Sequence, residues 1–246
     1  MRNNDFVLKK LHIDFYINGE LTTILDDINV IFPVGKITGI VGKSGSGKSV
    51  LGQAMFGCLP NNSVVSGEIL LAGRDLLKLD EAAWTNLYGK SLSVVPQLPL
   101  EAFSPMKKIG AHIRDSLDGA AINQSSLFER VFTFNKQENN ERKVLEGYGF
   151  TDAERILQSY PHELSGGMLQ RVLCAIVSFI QPQWILADEP TKGLDEKNRD
   201  MVRDNLKSMQ ASSGCGMIVI THDMDFARKL CNNIYRLKDG KLYAEN

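Results

Sequence analysis

The segment Gly42–Ser49 reads GKSGSGKS and fits the pattern G-x-x-x-x-G-K-[ST]. An apolar run at Ile37–Val41 predicts a strand directly before it, and a helical pattern continues through about Gly57. Strand, glycine-rich loop and helix in this order predict a phosphate-binding loop, because backbone N–H groups and the positive end of the helix dipole converge there. A simple Gly/Ser-rich turn would need only one or two of these glycines.

Two side chains of this loop carry the predicted chemistry. Lys48 would reach the β- and γ-phosphates of a nucleoside triphosphate, and the Ser49 hydroxyl would bind Mg²⁺. The glycines let the backbone approach the phosphate oxygens closely. We therefore expect ATP and Mg²⁺ as ligands. The residues expected to contact the nucleotide are Gly42, Lys43, Ser44, Gly45, Ser46, Gly47, Lys48, Ser49 and Val50.

A second motif, Trp184–Pro190 (WILADEP), predicts a buried strand that ends in two acidic residues. Asp188 would belong to the metal site, and Glu189, one residue further out, would orient or deprotonate the attacking water. Two solvated acids at the end of a strand are the alternative. The phosphate loop in the same chain makes that alternative much weaker, so we predict Glu189 as a catalytic residue.

Two further polar residues follow predicted strands. His222 comes after Met217–Thr221, and Gln97 comes after Leu92–Val95. Ligands of open α/β sheets bind at the carboxyl ends of the strands, which would bring both residues near the nucleotide. His222 would then contact the γ-phosphate as a catalytic residue, and the Gln97 amide oxygen would ligate Mg²⁺. Taken singly, either residue would more often be an ordinary polar residue of the surface or core.

Composition and charge exclude several function classes. The chain has 28 basic and 29 acidic residues, so neither nucleic-acid binding nor a general attraction to anionic lipid is expected. The longest uncharged apolar run, Val172–Ile180, has about half the length of a membrane span. The N-terminal residues lack the apolar region of a signal peptide, and the cysteines lack C-x-x-C spacing. These features are typical of a soluble protein of a reducing compartment.

The order of predicted elements indicates an α/β fold with an inserted helical lobe. Residues from about Phe6 to Ile31 predict short strands, with a hairpin signal at Asn18-Gly19. Later strand patterns alternate with helical patterns and predict a sheet with crossovers. The strand-poor stretch after residue 105 contains a polar segment, Asn135–Arg142, that predicts a flexible surface loop. We expect a single domain over residues 1–246, with a core lobe of about residues 1–96 and 160–246 and a helical lobe of residues 97–159.

The segment Tyr160–Arg171, YPHELSGGMLQR, is the most specific motif in the chain. Ser165, Gly166 and Gly167 would open a helix and offer a hydroxyl and free N–H groups to an anion. LSGGM followed by Gln-Arg resembles the signature motif of the ABC-type ATPases. The resemblance extends from about Phe15 to Leu242, and the motifs occur in the family's order. A plain Ser-Gly-Gly helix cap is the alternative.

This resemblance implies a P-loop (RecA-like) ABC ATPase core with an N-terminal antiparallel β-layer and an inserted helical lobe. It also implies that two subunits close head to tail, so that the Ser-Gly-Gly segment of one subunit contacts the ATP of the other. Thr191–Asp195 (TKGLD) matches the family's D-loop, with Asp195 carried over to that interface. Phe15 or Tyr16 would stack on adenine. The spacing to Ile24 favours Phe15, although an aromatic residue there also suits a core position.

Within this family, YPHELSGGM is most similar to ATPase subunits that serve importers of dipeptides, oligopeptides and nickel. Pro96–Pro105 keeps only part of that group's pattern around Gln97, and Leu169 and Lys192-Gly193 also depart from it. The end of the chain at Asn246 favours the shorter, nickel-type subunits. The implied partners are a second ABC ATPase subunit (a related distinct chain or a second copy), two membrane permease subunits and, indirectly, an extracytoplasmic substrate-binding protein.

The expected function is therefore ATP hydrolysis that powers such an importer from the cytoplasmic face of the membrane. Accessory ATPases of carbon–phosphorus lyase complexes resemble the same group, so a soluble enzyme complex is the alternative. An inert interaction module is disfavoured by the intact Lys48, Glu189 and His222. The cargo stays open between nickel, a metal–chelator complex, a dipeptide and a longer peptide.

Overall fold

The structure is a computed structural model that describes residues 4–121, 141–143 and 145–245. The strands are β1 (Phe6–Ile17), β2 (Glu20–Phe32), β3 (Ile37–Val41), β4 (Ser63–Leu71), β5 (Arg74–Asp75), β6 (Leu92–Val95), β7 (Trp184–Asp188), β8 (Gly216–Thr221), β9 (Asn233–Lys238) and β10 (Lys241–Glu245). The α-helices are α1 (Lys48–Met55), α2 (Glu81–Leu87), α3 (Ile109–Ala121), α4 (Ala153–Gln158), α5 (Gly166–Ile180), α6 (Glu196–Ser213) and α7 (Met224–Leu230). One sheet has the strand order β2-β1-β4-β5 and the other the order β10-β9-β3-β8-β7-β6.

The predicted N-terminal hairpin is present, but its strands are longer than expected. β1 and β2 pair antiparallel, with Ile17 opposite Glu20 across a two-residue turn. Asn18 and Gly19 in this turn have φ angles of 53° and 86°, the left-handed values that a type I′ turn requires. Instead of several short strands, residues 6–32 form two strands of 12 and 13 residues. Together with β4 and β5 they build the expected antiparallel layer.

The six-stranded sheet brings the carboxyl ends of its parallel strands to one edge. Among the described residues, β3, β6, β7, β8 and β9 are mutually parallel, and β10 is antiparallel to β9. All residues of β3 and β8 are buried, as expected for strands that are covered on both faces. β9 and β10 were not predicted, although the Asp239-Gly240 turn between them carries a hairpin signal and has φ angles of 51° and 72°.

Hydrophobic clusters cover both faces of this sheet. Between the two sheets, Phe6 packs edge-on against Trp184 with ring centroids 4.9 Å apart, and α1 contributes Leu51 and Met55. On the opposite face, β3, β7 and β8 pack against α6 and α7. Close packing on both faces holds the strand ends in place, so the loops at the sheet edge start from fixed positions.

Helix α5 joins this core to a third, helical cluster. Cys174 on α5 packs within the cluster against the sheet, whereas Leu173 packs within a cluster that also contains residues of α3 and α4. The helix that begins in the Ser-Gly-Gly segment is therefore shared by both parts of the molecule. A displacement of the helical cluster relative to the sheet would have to act on this helix.

Most of the predicted surface loop at Asn135–Arg142 lies outside the described residues. Residues 141 and 142, which are described, are helical. The lobe boundaries at residues 97 and 159 stay a prediction. Within the described part of the chain, none of the helices has the length and apolar character needed to cross a membrane.

Candidate functional site

Three predicted motifs meet at the carboxyl edge of the six-stranded sheet. The phosphate loop follows β3, Asp188 ends β7, and His222 follows β8. Because β8 lies between β3 and β7, the three segments are neighbours. This edge is where open α/β sheets bind their ligands.

Lys48 is held inside the phosphate loop. Its Nζ donates hydrogen bonds to the carbonyl oxygens of Gly42 at 3.0 Å and Lys43 at 2.8 Å, and the residue is only 6% exposed. Helix α1 begins at Lys48 behind Gly47, and no side-chain hydrogen bond caps its N-terminus. The first N–H groups of α1 and the Lys48 ammonium can therefore bind phosphate oxygens.

The glycines of this loop are required for two different reasons. Gly45 and Gly47 have φ angles of 78° and 95°, in the left-handed region that disfavours residues with a Cβ atom. Gly42 is required for space, because a Cβ atom there would lie 2.5 Å from the carbonyl oxygen of Leu237 in β9. The first residue of the loop, Gly42, is therefore in close contact with the neighbouring strand β9.

The substitution Gly42→Ala is expected to destabilise the fold and to weaken ATP binding. The Leu237 carbonyl belongs to a sheet strand and cannot yield without moving β9, and overpacking of this kind costs about 1–3 kcal/mol. Urea unfolding measures the loss. Gly73→Asn is the matched control, because Gly73 has a φ of 78° with open space around it and asparagine tolerates that conformation. Unchanged stability of Gly42→Ala would contradict the close approach.

Ser49 and Asp188 place two oxygen ligands side by side. The Ser49 hydroxyl donates a hydrogen bond to Asp188 Oδ1 at 3.3 Å. Burial raises the pKa of Asp188, while the Ser49 hydrogen bond and the charges of Lys48 and Lys192 act in the opposite direction. Hydroxyl and carboxylate oxygens are ligands that Mg²⁺ prefers, and a divalent cation would compensate the desolvated carboxylate. The residues present therefore fit the predicted metal site.

Glu189 and His222 are in direct contact. His222 Nδ1 lies 3.0 Å from Glu189 Oε1 and 2.9 Å from Oε2. The backbone N–H of Glu189 donates to the Ile220 carbonyl oxygen at 2.8 Å, and its φ of 46° is unusual for a residue with a side chain. The Glu189 side chain is 11% exposed, whereas that of His222 is 60% exposed. The structure thus holds the predicted base against a histidine that remains accessible to a ligand.

A cleft of about 460 Å³ lies beside the phosphate loop. Its lining consists of loop residues 42–46, Thr23 and Ile24 of β2, and residues 236–240 at the β9–β10 turn. The contributions of β2 and of this turn were not predicted from the sequence. The Asp-Gly hairpin signal could have located the turn, but the pairing of β9 with β3 could not be read from a local pattern.

The predicted adenine-stacking residue, Phe15, is not among the lining residues of this cleft. Phe15 is half-buried and packs against the cluster between the two sheets, and Tyr16 is 56% exposed. The alternation of β1 explains this position, because Phe15 shares a face with the fully buried Ile13. Stacking of Phe15 on adenine stays a prediction.

A second concavity, of about 650 Å³, brings Ser165–Gly167 together with Gln97 and Asp195. The Ser165 hydroxyl oxygen accepts from Met168 N at 3.3 Å and caps α5. Asp195 caps α6 in the same way. Gln97 lies in this concavity with the signature segment and outside the lining of the cleft beside the phosphate loop. Its binding to Mg²⁺ also stays a prediction.

Residues 25–192, well over half of the sequence, match the protein family described as ABC transporter. The chain belongs to the ABC transporter family. It is an ABC-type ATPase, and the predicted P-loop fold with its antiparallel layer is confirmed. The resemblance to ATPase subunits of peptide importers is confirmed as well.

Two curated relatives illustrate this similarity. The oligopeptide transport ATP-binding protein OppD of Lactococcus lactis subsp. cremoris is 32% identical over 235 residues, covering 95% of this chain and 67% of the relative. The metal-staphylopine import system ATP-binding protein CntD of Staphylococcus aureus is 31% identical over 225 residues, covering 90% of this chain and 79% of the relative.

A solved ABC cassette has the same fold. The ATP-binding cassette MJ0796, in a dimeric post-hydrolysis state bound to ADP and Pi, superposes with a TM-score of 0.80. The two chains are 26% identical, and the match covers 98% of each. This ABC ATPase is therefore similar over 98% of its length to a cassette that has been observed as a dimer.

Proposed function

We propose that this chain is the ATP-hydrolysing subunit of a membrane importer for peptides or metal complexes, nickel included. The observation that carries the proposal is the similarity to OppD and CntD over nine-tenths or more of the chain, joined to an intact set of site residues. Both relatives are transport subunits, and neither supports the carbon–phosphorus lyase alternative. The permeases and the substrate-binding protein would select the cargo, which is nickel, a metal–chelator complex, a dipeptide or an oligopeptide.

In this proposal the triphosphate lies along residues 42–50. The N–H groups at the start of α1 and the Lys48 ammonium bind the phosphates, and the two carbonyl contacts of Lys48 position it for this. Ser49 and Asp188 would hold Mg²⁺, and Gln97 would join them after the lobes move. When bound, Mg²⁺ neutralises charge on the β- and γ-phosphate oxygens.

Glu189 acts as general base on the attacking water in this mechanism. A carboxylate accepts the hydrogen bond from His222 Nδ1, so the imidazole fixes the orientation of both Glu189 oxygens. A ring that carries both protons can also donate from Nε2 to a γ-phosphate oxygen. His222 would thus connect the base to the phosphate under attack.

Two subunits are proposed because different residues line the two binding surfaces of one chain. The cleft beside the phosphate loop and the concavity at the signature segment have no lining residue in common. In a head-to-tail dimer, Ser165–Gly167 and Asp195 of one subunit would close on the ATP held by the other. The partner is a related distinct chain or a second copy.

Coupling to transport is proposed to pass through the segment that follows Gln97. Leu98, Leu100 and Met106 in this segment are 55%, 50% and 84% exposed. Exposed apolar side chains at the start of the helical lobe, residues 97–159, suit contact with another protein. We propose that two permease subunits bind here at the cytoplasmic face of the membrane. A substrate-binding protein would act on these permeases from the other side.

Affinity purification in detergent tests this function. We expect the tagged chain to copurify with two multi-span permeases and a second ATPase or a second copy of itself, identified by mass spectrometry. ATPase activity of that complex should rise when the cargo-loaded binding protein is added. A soluble enzyme complex without any membrane protein would overturn the transport function and leave the ATPase chemistry in place.

A further inference from the structure

Lys192 is a charged residue of the D-loop that the mechanism above does not use. It lies between Glu189 and Asp195, and its backbone N–H donates to the Glu189 carbonyl oxygen at 3.0 Å. The residue is exposed and lines the concavity that contains Ser165–Gly167. Among the residues that the structure describes, none forms a hydrogen bond or ion pair with its side-chain ammonium.

The other charged groups of this concavity, Asp195 and Arg171, form hydrogen bonds within the chain, although Arg171 Nε has no partner in the part of the chain that the structure describes. The carboxylate of Asp195 accepts hydrogen bonds from the backbone and side chain of Asn198 at 2.8 and 2.9 Å. The guanidinium of Arg171 donates to the Tyr148 and Gly149 carbonyl oxygens at 3.4 and 3.2 Å. Lys192 is thus the charged lining residue of the described concavity whose side chain makes no hydrogen bond or ion pair, although its charge also acts on Asp188.

The neutral groups of the concavity also favour an anion. Helix α5 has 15 residues and points its N-terminus into this space behind Ser165. Gln170, which also lines the concavity, is 3% exposed, and its Nε2 has no hydrogen-bond partner. A buried amide donor without a partner is costly, so turning this donor toward an anion in the concavity would be favoured.

We propose that Lys192 binds the terminal phosphate of the ATP that the partner subunit holds, beside the Ser165 hydroxyl and the N-terminus of α5. This inference rests on the two-subunit function proposed above. The chain's own phosphate loop already has the enclosed ammonium of Lys48, and Lys192 shares no lining surface with residues 42–46. Lys192 therefore adds a second cation from across the interface, after the subunits close.

The test compares nucleotide binding with association of the subunits. In a Glu189→Gln background, Lys192→Met is combined with the ATPase that copurifies, or with itself if none does. We expect the affinity of the unassociated subunit for ATP to stay within about twofold. ATP-driven association, followed by sedimentation velocity, should weaken about ten- to a hundredfold, as for loss of one charged hydrogen bond. Lys192→Arg should keep most of the association.

Lys197→Met is the matched control, because Lys197 is exposed nearby on α6 and does not line the concavity. Equal association of Lys192→Met and the control would overturn the inference and leave the proposed function intact. A loss of ATP affinity in the unassociated subunit would also overturn it, since Lys192 would then act on its own nucleotide. Absence of ATP-driven association in every variant, the control included, would overturn the two-subunit function itself.

Discussion

Replacing Glu189 with glutamine is expected to abolish ATP hydrolysis while ATP binding persists. The amide keeps the shape of the side chain, and its oxygen still accepts the hydrogen bond from His222 Nδ1. It cannot accept a proton from water, however, and loss of a general base typically lowers the rate about 10²–10⁴-fold. In the proposed two-subunit mechanism hydrolysis separates the subunits, so the variant should accumulate as an ATP-bound dimer. Steady-state phosphate release and size-exclusion chromatography measure the two effects.

The control for this variant is Glu81→Gln. Glu81 is an exposed acidic residue in the first turn of α2, far along the chain from the residues of the sheet edge. The Glu81→Gln variant should therefore hydrolyse ATP at the parent rate. If Glu189→Gln kept the parent rate, Glu189 would not be the base. Loss of both hydrolysis and ATP binding would instead mean that Glu189 supports the shape of the nucleotide site.

The chemistry at the sheet edge was predictable because each group follows a short, continuously apolar strand. Asp188 ends β7, His222 follows β8, and the phosphate loop follows β3. Parallel strands bring their carboxyl ends to one edge, so all three groups were expected at the same edge of the sheet. The contact of Glu189 with His222 follows from this rule, because β7 and β8 are neighbours.

The rule that strand ends share one edge does not decide whether Gln97 lies next to the phosphate loop, because that depends on the order of the strands. Gln97 too follows a strand, but β6 is the outermost strand and is separated from β3 by β7 and β8. Gln97 therefore lies with the signature segment. A sequence pattern identifies strand ends, whereas the order of strands depends on packing between residues far apart in the chain.

The structural reason for a glycine at position 42 also could not be predicted from the sequence. The motif explains this glycine by the approach of phosphate, yet the structure shows that the Leu237 carbonyl oxygen leaves no room for a Cβ atom. That contact arises because β9 pairs with β3, and β9 had no prediction of its own. The cleft lining at residues 236–240 was missed for the same reason.

Lys48→Ala is expected to lose nucleotide affinity itself, in contrast to Glu189→Gln. The Lys48 ammonium contacts two loop carbonyls and is nearly enclosed, so its charge is held inside the phosphate loop. A hydrogen bond to a charged group contributes about 1.5–3 kcal/mol, which corresponds to a roughly 10- to 100-fold rise in Kd. Binding of a fluorescent ATP analogue measures the change, at a temperature where urea unfolding shows the variant to be folded.

Lys207→Ala provides the comparison, because Lys207 is an exposed lysine on α6 and its removal changes the net charge by the same amount. Its Kd should match that of the parent. If Lys48→Ala bound the analogue as tightly as Lys207→Ala, the triphosphate would not lie on the loop at residues 42–50. The Gly42–Leu237 contact would then serve only the fold, and the free N–H groups at the start of α1 would need another ligand.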